Sequence, residues 1–385
     1  MLLTNNLRKI VNSGIWISGL LICKNPFQKK SKLNRLLVVR TDGIGDFVLF
    51  IPALKYLREK FADFVIYMIV RDTVGDLAED CPFVDKVFTY NDKKFRGNFF
   101  FKISFLMKIH KSKCSICLYP AYSRDRIGDE MVLWSAARQK MGWDPDSANM
   151  TKKEKVRGDR IYSKLFVSSL GLWEHELGKN RELLKQMKIE TADLKPVFWP
   201  NRRATDNQSD VPNQSPDLPM IAILPGAAVS YRQWDIHNFV LLTKKLSEVR
   251  EDYIFLLLGG EKEVPFIDPF MDIELDKRIL NLFGKVKLKS LPAIFRKCKL
   301  AIGNDTGPMH IAIASGIPTL CILGGGHFDR FMPYGDPKIN KFVFKKMECY
   351  RCNWNCIYPE IRCLTEIPME SVFEEAQKML ADPFD

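Results

Sequence analysis

The chain has 385 residues, of which 46% are hydrophobic and 27% are charged. This composition excludes a small disulfide-stapled module and a largely disordered chain, and the length allows two domains that each have a core. The formal net charge of +12 is uneven, because eight Lys and Arg residues and no acidic residue precede Asp42. A basic surplus of this kind favours an anionic partner, such as a membrane surface, a nucleic acid or a phosphorylated substrate.

The first predicted element is an apolar segment of 14 residues, "IVNSGIWISGLLIC" (Ile10–Cys23). It is short for a membrane span, and the residues after it lack the small-residue site at which a signal peptide is cleaved. Residues 1–34 are therefore predicted to form a membrane-associating helix and a basic linker on an anionic surface. A retained short span and an ordinary packed helix are the alternatives.

Strands and helices alternate from Leu36 onwards. The compact β-rich runs are "LLVVR", "FVIYMIV", "VDKVFTY" and "CSICLYP", and the run with helical spacing is "FVLFIPALKYLREKF". This alternation predicts a mostly parallel sheet with helices on both faces, here over residues 35–199.

The alternation stops at residues 200–219, a stretch rich in Pro, Asn, Ser and Asp, and then starts again. The stretch is predicted to be a linker. A second α/β domain is predicted over residues 220–366 and a C-terminal helix over residues 367–385. Two such domains leave a cleft, which is the usual place for a ligand and for chemistry.

The first predicted strand leads into "RTDGIGDFVLFIPAL". Gly43 and Gly45 allow a tight loop, and Asp46 falls at a helix N-terminus. Asp46 is either a helix cap or a general base at the carboxyl end of a strand. The glycine pair is not a dinucleotide fingerprint, because no third glycine follows at the required offset.

Two strand ends in the second domain carry further candidates. "ILPGAAVSYRQW" places Gly226 in a loop and Arg232 before a helix, where a guanidinium suits a phosphate. "LLLGGEKEV" places Glu261 and Glu263 after another strand, where a carboxylate suits ribose hydroxyls. A solvated arginine and a solvated helix start are the simpler alternatives.

The motif "NDTGPMH" stands between an apolar strand and an Ala-rich helix. Thr306 and Gly307 supply backbone N–H groups, Asp305 orients the loop, and His310 follows one helical turn later. A helix N-terminus at the end of a parallel strand favours a phosphate, through free N–H groups and the helix dipole. For His310 alone, a packed histidine is the simpler interpretation.

In this order, these motifs resemble the ADP-heptose:lipopolysaccharide heptosyltransferases, glycosyltransferase family 9, over roughly residues 35–380. The strongest matches are "VVRTDGIGDFVLFIPALKYLREKF" and "AIGNDTGPMHIAIASGIPTLCILGG", supported by "LPGAAVSYRQW" and "SAARQKMGW". The resemblance implies the α/β GT-B fold, with two Rossmann-like doubly wound domains facing a cleft. The acceptor would bind the first domain and the nucleotide-sugar donor the second.

The resemblance also implies roles for individual residues. Asp46 matches the family's catalytic base, and Arg232 stands where the family has a basic residue, often Lys, that contacts the donor phosphates. Asp305, Thr306, Gly307 and His310 match the donor-phosphate loop. Glu261 or Glu263 matches the ribose carboxylate, and the register between them stays open.

The implied activity is inverting transfer of a sugar, heptose by this resemblance, from ADP-heptose to a lipopolysaccharide core or related glycolipid. No metal cofactor is required, because Arg232 and a helix N-terminus handle the phosphate charge. The alternatives are a nucleotide-sugar 2-epimerase of the same fold and a non-catalytic sugar-nucleotide-binding membrane scaffold. The expected location is the inner face of the cytoplasmic membrane, with no nucleic acid partner.

Two further stretches suggest binding partners: a basic and aromatic stretch suits a lipid-linked acceptor, and a cysteine cluster suits a metal. "NDKKFRGNFFFKISFLMKIHKSK" interleaves basic and aromatic residues, as in either a membrane-facing surface or an amphipathic helix. The cysteines scattered along the chain indicate a reducing compartment. Four of them cluster near the C-terminus and are candidates for a structural zinc or iron–sulfur site, or for a group of free thiols: Cys349, Cys352, Cys356 and Cys363.

Overall fold

The computed structural model describes residues 13–21, 33–146, 148–199, 218–270 and 277–381. It divides into two compact units. The first unit runs up to Gly43 and continues with Ala53–Leu172 and Gly178–Ala192, and the second comprises Ile44–Pro52, Trp173–Leu177 and Asp193–Asp385. Apart from Leu218 and Pro219, the predicted linker lies outside the described residues.

The first unit contains a parallel sheet of six strands in the order β3-β2-β1-β4-β5-β6. The strands are β1 (Arg35–Val39), β2 (Val65–Arg71), β3 (Lys86–Tyr90), β4 (Ile116–Tyr119), β5 (Gln139–Trp143) and β6 (Lys164–Phe166). The helices that begin in this part of the chain are α1 (residues 13–21), α2 (Ile44–Lys60), α3 (Asp72–Glu79), α4 (Asp92–Gly97), α5 (Phe99–Lys111), α6 (Arg126–Trp134), α7 (Lys152–Asp159) and α8 (Glu176–Gln186).

The second unit contains a parallel sheet of six strands in the order β12-β11-β10-β7-β8-β9. The strands are β7 (Met220–Leu224), β8 (Ile254–Leu257), β9 (Ile279–Asn281), β10 (Cys298–Asn304), β11 (Thr319–Ile322) and β12 (Asn340–Val343). The helices are α9 (Ile236–Val249), α10 (Ile267–Phe270), α11 (Leu291–Phe295), α12 (Gly307–Ala314), α13 (Arg362–Thr365) and α14 (Met369–Ala381).

Both sheets have the doubly wound order 3-2-1-4-5-6, which confirms the predicted alternation. Their central strands are apolar because helices cover both faces, as in β1, where Leu36 to Val39 are all buried. Each large aliphatic side chain buried in this way contributes roughly 1.5–3 kcal/mol. The strands that sequence reasoning left out lie towards the sheet edges and are short or only partly apolar, namely β5, β6, β9 and β12.

The described part of the predicted N-terminal anchor is α1, and one of its faces packs on the first unit. Ile15 and Trp16 are buried, and Arg157 lies over the Trp16 ring at 4.4 Å. Ile17 and Leu21 on the same helix are exposed. No helix within the described ranges has both the length and the apolar character needed to cross a bilayer.

The basic and aromatic stretch forms α4 and α5, and only part of it reaches the surface. Phe99 and Phe100 are exposed, whereas Phe105 belongs to the core. Lys102 is also buried and pairs with Glu130 at 2.7 Å, because a charge removed from water needs a counter-charge. Of the two alternatives for this stretch, burial of Lys102 and Phe105 beside exposed Phe99 and Phe100 agrees with an amphipathic helix.

Candidate active site at the strand ends of the second unit

Asp46 lies in the first turn of α2, as predicted. The turn between β1 and α2 contains Asp42, whose carboxylate pairs with Arg40 at 2.7 Å, and ends at Gly43. A carboxylate in the first turn interacts favourably with the helix dipole, and Asp46 stands where the chain enters the second unit.

The "NDTGPMH" motif forms the end of β10 and the start of α12. Thr306 is the N-cap residue with an extended backbone, and Pro308 occupies the first turn. The Thr306 side chain makes no capping hydrogen bond to the described residues. The Thr306 side chain therefore leaves the first N–H groups of the helix available to an anion.

Two glycines let the starts of α2 and α12 approach each other. A β-carbon built on Gly45 would lie 2.7 Å from Cδ2 of His310, and one built on Gly307 would lie 2.6 Å from Cβ of Ile44. These distances are too short for any side chain, so both positions require glycine. The approach brings Asp46 and the phosphate motif to one place within the second unit.

His310 is held on both ring nitrogens. Its Nδ1 shares a hydrogen bond of 2.9 Å with the hydroxyl of Tyr334, and its Nε2 lies 3.5 Å from Oδ1 of Asp305. The two rings stack at a centroid distance of 5.4 Å. Burial, and then the Asp305 charge, raise the pKa of Tyr334 well above its usual range, so the phenol that faces Nδ1 stays protonated.

Arg232 ends a 3₁₀ turn (Ser230–Arg232) in the loop after β7. Its Nη2 lies 3.2 Å from Nδ1 of His327, and its guanidinium carbon lies 5.2 Å from the ring centre of Trp354. Nε2 of His327 is 2.7 Å from Oδ1 of Asn353. Burial, and then the Arg232 charge, lower the pKa of His327 to about 4, so the ring is neutral and Nδ1 accepts from the guanidinium.

Of the two candidate ribose carboxylates, Glu263 lies against the loop after β7 that contains Gly226. Its Oε2 accepts the N–H of Gly260 at 2.8 Å, and a β-carbon on Gly226 would lie 2.6 Å from its Cγ. Glu261 begins the 3₁₀ turn Glu261–Phe266 and is exposed. The geometry favours Glu263 at the register that the sequence leaves open.

The four C-terminal cysteines are free thiols. Sγ of the buried Cys363 accepts the N–H of Gly325 at 3.3 Å, and the other three are half-buried. Burial, and then the neighbouring thiols, raise the pKa of Cys356. Across the described ranges, no three His, Cys, Asp or Glu side chains are grouped so that they could hold a metal ion.

Comparison with known proteins identifies the family. Residues 131–357, more than half of the chain, match the model of glycosyltransferase family 9 (heptosyltransferase). The chain belongs to glycosyltransferase family 9. It is 29% identical over 164 residues to the lipooligosaccharide heptosyltransferase 2 of Campylobacter jejuni, which covers 42% of this chain and 51% of that protein. The chain thus spans about half the length of the first relatives that it matches.

Solved structures of similar proteins cover both units of this family 9 chain. The structure of E. coli ADP-heptose LPS heptosyltransferase II has a TM-score of 0.70 and 17% identity, covering 90% of this chain and 98% of that chain. E. coli heptosyltransferase WaaC with ADP-2-deoxy-2-fluoro heptose has a TM-score of 0.64 and 15% identity, covering 89% and 99%. At these identities the likeness shows the fold alone, and it confirms the predicted GT-B fold.

In the structure of the family 9 chain, further side chains that sequence reasoning missed contact the candidate site residues or their loops. Asn304 is fully buried, its Nδ2 donates to the carbonyl of Pro225 at 2.8 Å, and its Oδ1 accepts the N–H of Trp234 at 3.0 Å. It therefore ties the Arg232 loop to the start of the phosphate motif. Its position directly before Asp305, at the end of an apolar run, was the available signal. Tyr334, His327 and Trp354 are too distant in sequence from the motifs to carry such a signal.

Proposed function

We propose that this protein is an inverting glycosyltransferase that moves heptose from ADP-heptose to a lipopolysaccharide core or related glycolipid. Family membership and the heptosyltransferase names of its relatives support this activity. The observation that carries it is the approach of α2 to α12 at Gly45 and His310, which brings a carboxylate near a helix N-terminus suited to phosphate.

In the proposed step, the Asp46 carboxylate accepts the proton of the acceptor hydroxyl as that oxygen attacks the anomeric carbon. The bond from the anomeric carbon to the diphosphate oxygen breaks on the opposite face, so the configuration inverts and ADP leaves. A positioned general base typically contributes a factor of about 10²–10⁴ in rate.

The leaving diphosphate gains negative charge, and the chain supplies groups that match it. The proposed ligands are the Arg232 guanidinium and the backbone N–H groups at Thr306 and Gly307, with His310 and Asp305 holding the loop. Losing one such preorganised donor costs about 3–4 kcal/mol of barrier. We assign the ribose contact to Glu263 and expect transfer to need no added metal ion.

The four-cysteine cluster is the remaining candidate for a structural metal. The described residues offer no ready-made site, so no step of transfer is assigned to it. Metal analysis of the protein purified without chelator tests this candidate: at least 0.5 metal ion per chain (on the order of one per site), lost from a Cys352→Ser variant, would establish it. Absence of metal in the wild type would reject it.

We also propose that the acceptor is met at the inner face of the cytoplasmic membrane. The exposed apolar side chains of the first unit, Ile17, Leu21, Phe99 and Phe100, suit the acyl boundary, and the basic N-terminal residues suit anionic headgroups. Flotation with vesicles of phosphatidylglycerol and phosphatidylethanolamine tests this. Binding lost in a Phe100→Ser, Leu21→Ser variant supports it, and no flotation of the wild type contradicts it.

Calorimetric titration with ADP, UDP, GDP and ADP-heptose, with and without EDTA, tests the donor. Selective binding of both adenine ligands that EDTA leaves unchanged is the expected result, followed by an acceptor screen for heptose transfer. Preference for UDP or GDP would overturn the donor assignment. Binding of ADP-heptose with release of an altered sugar nucleotide, or with no turnover on any lipid core, would favour the epimerase or the scaffold.

A further inference from the structure

We infer that Trp354 and His327 are positioning residues that hold the Arg232 guanidinium ready for the donor phosphates. The inference rests on the proposed function, because it takes Arg232 as a diphosphate ligand. It gives the cysteine-bearing segment Cys349–Cys363 a role in donor binding that does not require it to touch the donor.

The guanidinium of Arg232 is held from two sides. The Trp354 ring lies 5.2 Å from its central carbon, within the range of a cation–π contact, and Nδ1 of His327 accepts a hydrogen bond from Nη2. Its Nε is buried and has no hydrogen-bond partner among the described residues. No carboxylate is paired with Arg232 in the described parts of the chain, so its positive charge is not neutralised there.

The Trp354 ring is itself fixed against the glycine run after β11. A β-carbon on Gly326 would lie 2.4 Å from Cδ2 of Trp354, and one on Gly324 would lie 2.7 Å from its Cη2. The N–H of Asn353 donates to the carbonyl of Gly326 at 3.0 Å. The indole ring therefore occupies the space that two missing side chains leave open.

The backbone that presents Trp354 is strained. Asn353 and Trp354 have φ values of 50° and 62°, in the left-handed region that non-glycine residues rarely adopt. Strain of this kind persists where surrounding contacts impose it. The contacts that impose it here are the glycine run, Arg232 and His327.

His327 connects the same segment to Arg232 by hydrogen bonds. Its Nε2–H donates to Oδ1 of Asn353, which leaves Nδ1 as the acceptor that faces the guanidinium. A free arginine side chain samples many rotamers, and holding it in one conformation before binding lowers the entropy lost when the donor binds.

Calorimetric titration of the full chain with ADP tests this inference. We expect Trp354→Leu to weaken ADP binding about tenfold, as 1.4 kcal/mol would, and Arg232→Ala to weaken it at least as much. The double variant should bind ADP no more weakly than Arg232→Ala alone, because Trp354 acts only through Arg232. An additive double variant, or wild-type affinity in Trp354→Leu, would overturn the inference.

Tyr350→Leu is the matched control for damage to the segment. Tyr350 lies in the same segment as Trp354 and packs on Gly325 and Phe328. Among the described residues, its ring contacts do not include Arg232. This variant should keep wild-type affinity for ADP, and a tenfold loss in it would reduce the Trp354 effect to general damage. In transfer assays Trp354→Leu should raise the donor KM and leave the acceptor KM unchanged, which loss of structure alone does not predict.

Two conservative variants keep the test open if Trp354→Leu fails to fold. Trp354→Phe retains a ring beneath the guanidinium and should bind ADP within about threefold of wild type, since Phe also makes cation–π contacts. His327→Gln retains an acceptor and should outperform His327→Leu. If Arg232→Ala itself leaves ADP affinity unchanged, the proposed donor site is wrong. If Arg232→Ala weakens ADP binding but Trp354→Leu or His327→Leu binds ADP like wild type, only this inference is rejected.

Discussion

The two units have the same strand order but different chemistry at their strand ends. In the first unit, a fully buried Arg124 follows β4 and pairs with Asp159 at 2.6 Å and Asp129 at 3.4 Å. In the second unit, the corresponding ends of β7 and β10 carry glycines, an imidazole and Arg232. In the first unit the charge of Arg124 is thus balanced by neighbouring carboxylates. In the second unit, no carboxylate is paired with Arg232 among the described residues. The doubly wound fold therefore provides the position for a site, and side chains decide whether a ligand is needed there.

The largest expected effect concerns catalysis in the second unit. Asp46→Asn should lower kcat by about 10²–10⁴, because the amide cannot accept the acceptor proton, and it should leave ADP affinity unchanged. Transfer rates and ADP titration measure the two quantities separately. Asp72→Asn, which changes the first-turn carboxylate of α3, is the control and should keep full activity. Wild-type kcat in Asp46→Asn would remove Asp46 from the mechanism.

The ion cluster of the first unit should affect stability instead of donor binding. Arg124→Leu leaves the buried Asp129 without its cation and should lower the free energy of unfolding by about 3–5 kcal/mol. Chemical denaturation measures this loss, and the exposed Arg126→Ala, two residues away, should change it little. If the folded Arg124→Leu protein binds ADP more weakly than wild type, the expectation that this cluster affects stability and not donor binding is wrong.

The same cluster should make stability depend on pH. Burial raises the pKa of Asp129 and the charge of Arg124 partly opposes this, so that the pKa is about 6 against a usual 3.8. The folded state therefore binds a proton at Asp129 more tightly than the unfolded state. The resulting contribution to the free energy of unfolding is present below about pH 4 and is lost as pH rises through about 6. Its upper limit is about 3 kcal/mol. Denaturation of wild type and Asp129→Asn from pH 4 to 7 should show wild type losing stability relative to the variant, and parallel curves would contradict this.

The smallest effect tests the close approach in the second unit. Gly45→Ala forces His310 to move and should cost about 1–3 kcal/mol of stability, together with part of the ADP affinity. Thermal unfolding and ADP titration measure both. Gly97→Ala is the control, because a β-carbon there meets no atom within 4 Å. Equal results for the two variants would show that the approach is not tight.

The sequence by itself determined the doubly wound class and the placement of the main motifs. These features depend on a few adjacent residues. An apolar run such as Leu36–Val39 indicates a strand that is buried on both faces, and the residues before α12 indicate a helix N-terminus. For that reason Asp46, Gly307 and His310 lie on the elements that their motifs predict. The family resemblance extended this local information to roles.

The distant groups that contact those motifs follow from the tertiary structure alone. Arg232 meets His327 and Trp354, and His310 meets Tyr334, across separations in sequence that no local pattern encodes. The proposed assignment of Glu263 over Glu261 depends on where the Gly226 loop passes, and the burial of Lys102 depends on Glu130 in a neighbouring helix. These outcomes follow from packing and charge neutralisation between elements, which arise only when the chain has folded.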